Sequence, residues 1–155
     1  MESINILGTG SYLPSTILTN YDLEKSGLNT THEWIVQRTG VSERRIAEAG
    51  ETASDLGYQA SLNALEMADM AAEELDLIIV ATITPDTCCP SAANWLQAKL
   101  DAHQAVTFDV TAACSGFIFG LNIAEQYLKN KTYKNVLVVA SEIMSRTLNW
   151  QDRST

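Results

Sequence analysis

Thr107-Phe-Asp-Val-Thr-Ala-Ala-Cys-Ser-Gly-Phe-Ile-Phe-Gly120 joins a β-rich run, residues 105–110, to a helical pattern through a few small residues. Phe117, Leu121, Ala124 and Leu128 recur at three- and four-residue steps, which predicts an amphipathic helix. Cys114 therefore falls where a strand turns sharply into a helix N-terminus. Free backbone N–H groups and the positive end of the helix dipole favour thiolate over thiol there. Ala112, Ala113, Ser115 and Gly116 permit a tight turn and a close approach by substrate. Small-x-nucleophile-x-small is the logic of a nucleophile elbow, here with Cys in place of Ser. The same residues also fit a small cysteine buried between helix and sheet, and the pattern alone leaves both readings open.

The pattern repeats outward in both directions. Leu77–Ala81 and Val136–Ala140 are continuously apolar and β-branched, as parallel strands covered on both faces are. Thr52, with Asp55 as capping-box partner, opens a long helix whose apolar stripe reads Leu56, Ala60, Ala64 and Met67. Ser91 opens another, bearing Trp95, Leu96 and Leu100. Ile4–Leu7 reads as a buried strand ending at Gly8, and Asn20 as the N-cap of a short helix. Thr31 caps a helix on which Trp34 and Arg38 are i, i+4 partners, and residues 41–46 form an exposed strand. Strands alternating with helices spell βαβ units: an α/β fold with a mostly parallel sheet covered by helices on both faces. No linker, low-complexity tract or repeat interrupts it.

Several function classes are disfavoured by composition. Net charge is −9, and between Glu51 and Leu100 a single basic residue, Lys99, faces eight acidic ones, a field that opposes nucleic acid. Lys129, Lys131 and Lys134 cluster at a helix end, where they complement the dipole. No apolar run approaches the roughly eighteen residues of a membrane span. Met-Glu-Ser-Ile-Asn lacks the basic region of a signal peptide, which points to the cytoplasm. Cys88, Cys89 and Cys114 make no disulfide framework, and with two histidines no zinc spacing arises. Gly8-Thr-Gly10 lacks the further residues of a dinucleotide or phosphate loop.

Asp-Val-Thr-Ala-Ala-Cys-Ser-Gly-Phe at 109–117 resembles the nucleophile segment of β-ketoacyl-ACP synthase III, a thiolase-fold condensing enzyme. Gly-Thr-Gly-Ser-Tyr-Leu-Pro at 8–14 and Glu-Trp-Ile-Val-Gln-Arg-Thr-Gly at 33–40 agree, in matching order and separation. The resemblance implies that Cys114 is the nucleophile. It also implies that Thr30, Trp34 and Arg38 line the mouth of a coenzyme A tunnel, and that Arg153, in Asp152-Arg153, holds the other face of the adenine. An indole beside a guanidinium suits that task, since it can stack a flat ring and hold a phosphate. Thr84–Pro90 matches a loop that crosses a two-fold dimer interface and closes the partner's acyl pocket. Acetyl-selective members often carry Phe at the position of Cys89. The partners so implied are acyl-CoA and malonyl-ACP within a homodimer, with no metal or redox cofactor.

The family's mechanism also needs a His and an Asn, and no segment of this chain matches either motif. The expectation is that residues 1–155 are the N-terminal half of such an enzyme, cut before the last strand of that half. His32 reads as an exposed residue at a helix start. His103 is the other histidine available as a base, and nothing in the sequence ties it to Cys114. Two rivals stand beside this reading. A thiol hydrolase of α/β-hydrolase type would need a His after the nucleophile, and none follows Cys114. An inactive thiolase-fold fragment or binding module would keep the fold without the reaction.

Overall fold

A computed structural model describes residues 4–155, which divide into two compact units, 4–12 with 52–142, and 13–51 with 143–155. The first unit holds a three-stranded parallel sheet in the order β4 (Val106–Val110), β3 (Leu77–Ala81), β5 (Val136–Ala140). Leu77 pairs with Val106 on one side and Val136 on the other, so the three strands end level. All five residues of β3 are buried, as a strand covered on both faces requires. Ile78 and Val80 face a core with Leu65 of α3 (Ala53–Ala68) and Leu96 and Leu100 of α4 (Ala92–Leu100). Leu77 and Ile79 point the other way, onto Ala124 of α5 (Gly116–Lys129). The period of two along β3 thus builds both layers of the sandwich.

The helix starts follow from local chemistry. The Thr52 hydroxyl accepts from the Asp55 N–H, while the Asp55 carboxylate accepts from the Thr52 N–H at 2.8 Å. Ser91 and Asn94 repeat the arrangement at α4. Lys99 reaches Asp55 at 2.5 Å and ties α4 to α3. Burial pushes the Asp55 carboxyl up, but hydrogen bonds from Lys99 and Thr52 outweigh it and hold the pKa below the ordinary value.

In the second unit β1 (Thr16–Thr19) pairs antiparallel with β2 (Glu43–Ile46). Helices α1 (Asn20–Lys25) and α2 (His32–Thr39) lie between them in sequence. Thr31 caps α2, as its sequence predicts. The cap of α1 is Thr19, not Asn20. Asn20 is fully buried instead: its side chain accepts from Arg44 at 2.7 Å and donates to the Val41 carbonyl at 2.8 Å. A long-range partner claims the amide that the local pattern assigns to a cap.

Two further expectations are corrected. Residues 4–7 form no strand; Ile6 is 78 % and Leu7 57 % exposed. Strand structure requires a neighbour within hydrogen-bonding reach, and apolar character alone does not supply one. The segment instead borders an apolar cavity of about 570 Å³ shared with α3, α5 and β5. The inner face of α3 is Leu56, Gly57, Ser61 and Leu65, while Met67 is exposed. Ala60 and Ala64 serve a second contact, where Gly8 and Gly10 lie so close that a Cβ on either would sit 2.2 and 2.1 Å from a helix carbonyl.

Acid stability has an identifiable contributor at the entry to the sheet. Asp76 accepts from the N–H groups of Asn135 and Lys134 at 3.0 and 2.8 Å, which hold its carboxyl below the usual range. A depressed folded-state pKa gives stability that is fully present above the unfolded value of about 3.9 and lost as pH falls through the folded one. Asp76→Asn is therefore expected to lower the urea midpoint at pH 7, with the gap to wild type closing between pH 4 and pH 2. A gap that persists at pH 2 would show that the charge is not the source.

Candidate active site

Cys114 lies just beyond the C-terminal edge of the parallel sheet, in a single 3₁₀ turn, Ala113–Ser115, between β4 and α5. Ligands of parallel α/β sheets bind at that edge. The turn is tight at a visible cost: Ala113, immediately before the cysteine, has φ +45°. A non-glycine residue in this region carries strain of roughly 1–3 kcal/mol, of the kind that gathers at functional sites. Cys114 is exposed, so it is not the buried packing residue that the sequence left open. Gly116 follows, buried; a Cβ there would meet the Ala81 Cβ at 3.0 Å. Gly120, one turn on, lies as close to Val138. The two glycines lay α5 onto the sheet and bring Cys114 down to its edge. Phe117 and Leu121, predicted on the buried stripe with Ala124, are instead 42 % and 37 % exposed.

The loop of Cys89 leaves the same edge, from the end of β3. Cys88 and Cys89 are both free and exposed. Three carboxylates that the sequence did not single out hold the loop and the segments that flank it. Glu142, just past β5, accepts from the Thr82 hydroxyl at 3.2 Å, the Ile83 N–H at 2.8 Å and the Thr84 hydroxyl at 2.5 Å. Asp86 accepts from the N–H and the hydroxyl of buried Ser54, at 3.0 and 2.5 Å. Asp109 of β4 accepts from the Ala92 and Ala93 N–H groups at 2.9 and 2.8 Å, which are free donors at the start of α4. The Trp95 indole N–H donates to Thr87, whose hydroxyl donates to the Pro90 carbonyl. Only Asp109 carried a sequence signal, a charge inside an otherwise apolar strand that demands donors.

The second unit gathers the other predicted residues. The Arg38 and Arg153 guanidinium carbons each lie 4.7 Å from the Trp34 ring centroid. Arg153 also donates to the Asn29 carbonyl at 3.0 Å, beside Thr30. The Thr30 hydroxyl oxygen is buried without a hydrogen-bond partner among the described residues. A buried orphan hydroxyl costs roughly 1–3 kcal/mol. His32 is not the exposed residue expected: half-buried, it stacks on Tyr21 at 4.5 Å and its backbone N–H donates to Glu24. His103 is on the surface, its ring nitrogen 2.5 Å from the Asp101 carboxylate. Lys129 pairs with Glu125 within α5. Among the described residues no three or more His, Cys, Asp or Glu could hold a metal, and no helix is long and apolar enough to cross a membrane.

Residues 108–155, which include Cys114 and Arg153, match the model of the 3-oxoacyl-[acyl-carrier-protein (ACP)] synthase III family. The β-ketoacyl-[acyl-carrier-protein] synthase III of Caldanaerobacter subterraneus subsp. tengcongensis is 54% identical over 97% of this chain and 45% of its own length. The enzyme of that name from Clostridium acetobutylicum is 51% identical over 100% of this chain and 47% of its own. The crystal structure of 3-oxoacyl-[acyl-carrier-protein] synthase III from Aquifex aeolicus VF5 superposes with a TM-score of 0.93 at 51% identity, over 97% of this chain and 48% of that one. The chain thus spans just under half the length of the relatives it matches, and within that span its fold is thiolase-like. Over that span it is similar to the β-ketoacyl-ACP synthases III.

Proposed function

We propose that Cys114 takes an acyl group from acyl-CoA, and that the complete protein condenses it with malonyl-ACP to start fatty-acid synthesis. The observation that carries this reading is the exposed cysteine on a strained turn at the sheet's C-terminal edge. The relatives' names supply the chemistry. The Cys114 thiolate attacks the thioester carbonyl, coenzyme A leaves as its thiolate, and the acyl group remains as a thioester on Sγ. Malonyl-ACP then loses carbon dioxide, and the carbanion so formed displaces Cys114 from the acyl carbon, giving 3-oxoacyl-ACP. On this reading residues 1–155 are the N-terminal half of the enzyme. The His and Asn that steady the enolate belong to the other half. The reaction as written needs no metal or redox cofactor, and its setting is the cytoplasm.

Thr30, Trp34, Arg38 and Arg153 form the coenzyme A mouth in this account. The indole offers a stacking face, the two guanidiniums phosphate partners, and the orphan Thr30 hydroxyl a donor. Arg38 and Arg153 both lie over the Trp34 ring, so adenine would enter by displacing one of them. Formation of 3-oxoacyl-ACP from acyl-CoA and malonyl-ACP by the complete protein tests the reading. Accumulation of free acid alone would favour a thiol hydrolase.

Cys89 sets a further expected result, in a homodimer where each protomer's loop closes its partner's acyl pocket. A thiol in place of a phenyl ring deepens that pocket, and each buried methylene is worth roughly 0.8 kcal/mol. Wild type is expected to prefer butyryl- or hexanoyl-CoA over acetyl-CoA in kcat/KM, and Cys89→Phe to reverse the order. An acetyl-only wild type, or an unchanged profile in the variant, would rule out this role for Cys89.

A further inference from the structure

We infer that Glu142 is a positioning residue that sets the acyl chain length by fixing how the Cys89 loop leaves the sheet. This rests on the reading of Cys89 as a pocket residue and adds the group that holds it. An ionised carboxylate accepts only, at about four lone-pair sites, and Glu142 receives three donors from the consecutive residues Thr82, Ile83 and Thr84. The Thr82 hydroxyl also accepts from the Thr84 N–H at 3.0 Å, so the first turn of the loop is folded around this one side chain.

The clamp stands between the two strands that flank β3. Thr82 donates its N–H to the Val110 carbonyl, at the start of the segment leading to Cys114. Ser141, next to Glu142, donates its N–H to the Ala81 carbonyl. The exit of β3 is thereby fixed to both neighbours at the level where the nucleophile turn begins. Beyond it the loop is held again, by Asp86 on Ser54, by Thr87 on Pro90 and Trp95, and by Asp109 at the start of α4. A surface loop is ordinarily among the mobile parts of a fold. This one has side-chain anchors at its start, middle and end, and Glu142 is the anchor from outside the loop that holds its start.

Glu142 is itself exposed, so its removal opens no cavity in the core. The consequence falls on residues 83–86, which lose the contact that fixes their path from Thr82, still tied to Val110, toward the Cys89 segment. A shift of the pocket end by one methylene's length changes relative kcat/KM by about fourfold. Chain-length preference therefore moves further than the rate with the best substrate, and the change appears in KM.

The test uses the complete protein, with Glu142→Ala, Glu142→Gln and, as a milder route from the loop side, Thr84→Val. Amide exchange of Ile83, Thr84 and Asp86 is expected to rise about tenfold in Glu142→Ala, while that of β3 stays unchanged. The kcat/KM ratio of butyryl- to acetyl-CoA is expected to change about fourfold or more, and Glu142→Gln to restore most of both. Glutamine keeps an acceptor for the Ile83 N–H, and its amide can donate to the two hydroxyls. Unchanged exchange would overturn the clamp, and raised exchange with an unchanged ratio would overturn its role in specificity. Should wild type carry no acyl group on Cys114, the functional reading fails separately, and exchange still decides whether Glu142 holds the loop.

Discussion

Cys114→Ala in the complete protein is expected to abolish turnover, with a loss on the order of 10⁴-fold or more in kcat for 3-oxoacyl-ACP formation. The size follows from the role. In the proposed reaction both stages pass through a thioester on Cys114, which cannot form without the thiol. Coenzyme A binding should survive, because Thr30, Trp34, Arg38 and Arg153 are untouched. Steady-state turnover beside calorimetric titration with coenzyme A separates the two effects. Turnover within tenfold of wild type would remove Cys114 from the mechanism, and lost binding with retained turnover would invert the assignment of the two groups of residues.

Gly116→Val carries the second large effect, because it strikes fold and chemistry together. A Cβ at Gly116 stands 3.0 Å from the Ala81 Cβ, and neither is the far end of a flexible chain. Valine adds two methyls beyond that contact and must lift the first turn of α5 from β3. Overpacking of this kind costs roughly 1–3 kcal/mol. Displacing a nucleophile by about 1 Å costs around 100-fold in rate. Urea unfolding should show the first loss, and the rate of Cys114 acylation by acyl-CoA in still-folded protein the second. A variant with full stability and full acylation would show that the α5–β3 contact does not position the cysteine.

What the sequence disclosed, and what it hid, divides by the range of the interaction. Thr31, Thr52 and Ser91 act as caps because each partner is three residues away, so the bonds are written in the local order. The apolar run of β3 was legible because burial on both faces leaves no polar position. Residues 4–7 misled for the complementary reason: apolar character is local, whereas a ladder needs a neighbour elsewhere in the chain. Asn20 misled because Arg44, 24 residues away, occupies its amide oxygen.

The site divides in the same way. Cys114 stood out through its small neighbours and the helix behind it. Trp34 and Arg38 were visible as i, i+4 partners, but the arrival of Arg153 on the same ring depends on the fold of the second unit. The Glu142 clamp joins residues 58 to 60 positions apart, and nothing in Ser-Glu-Ile-Met distinguishes that glutamate from a solvated one. Its meaning appears only when β3 and β5 are seen to end side by side.

The central claim, that Cys114 accepts the acyl group, is tested most directly by mass spectrometry. The complete protein is incubated with acetyl-, butyryl- or hexanoyl-CoA without malonyl-ACP, digested and mapped. The account predicts one acyl group per chain on the Cys114 peptide, removed by neutral hydroxylamine as a thioester is, and none on the Cys88–Cys89 peptide. Acylation of Cys88 or Cys89 with Cys114 unmodified, or no thioester at all from any of the three, would contradict it.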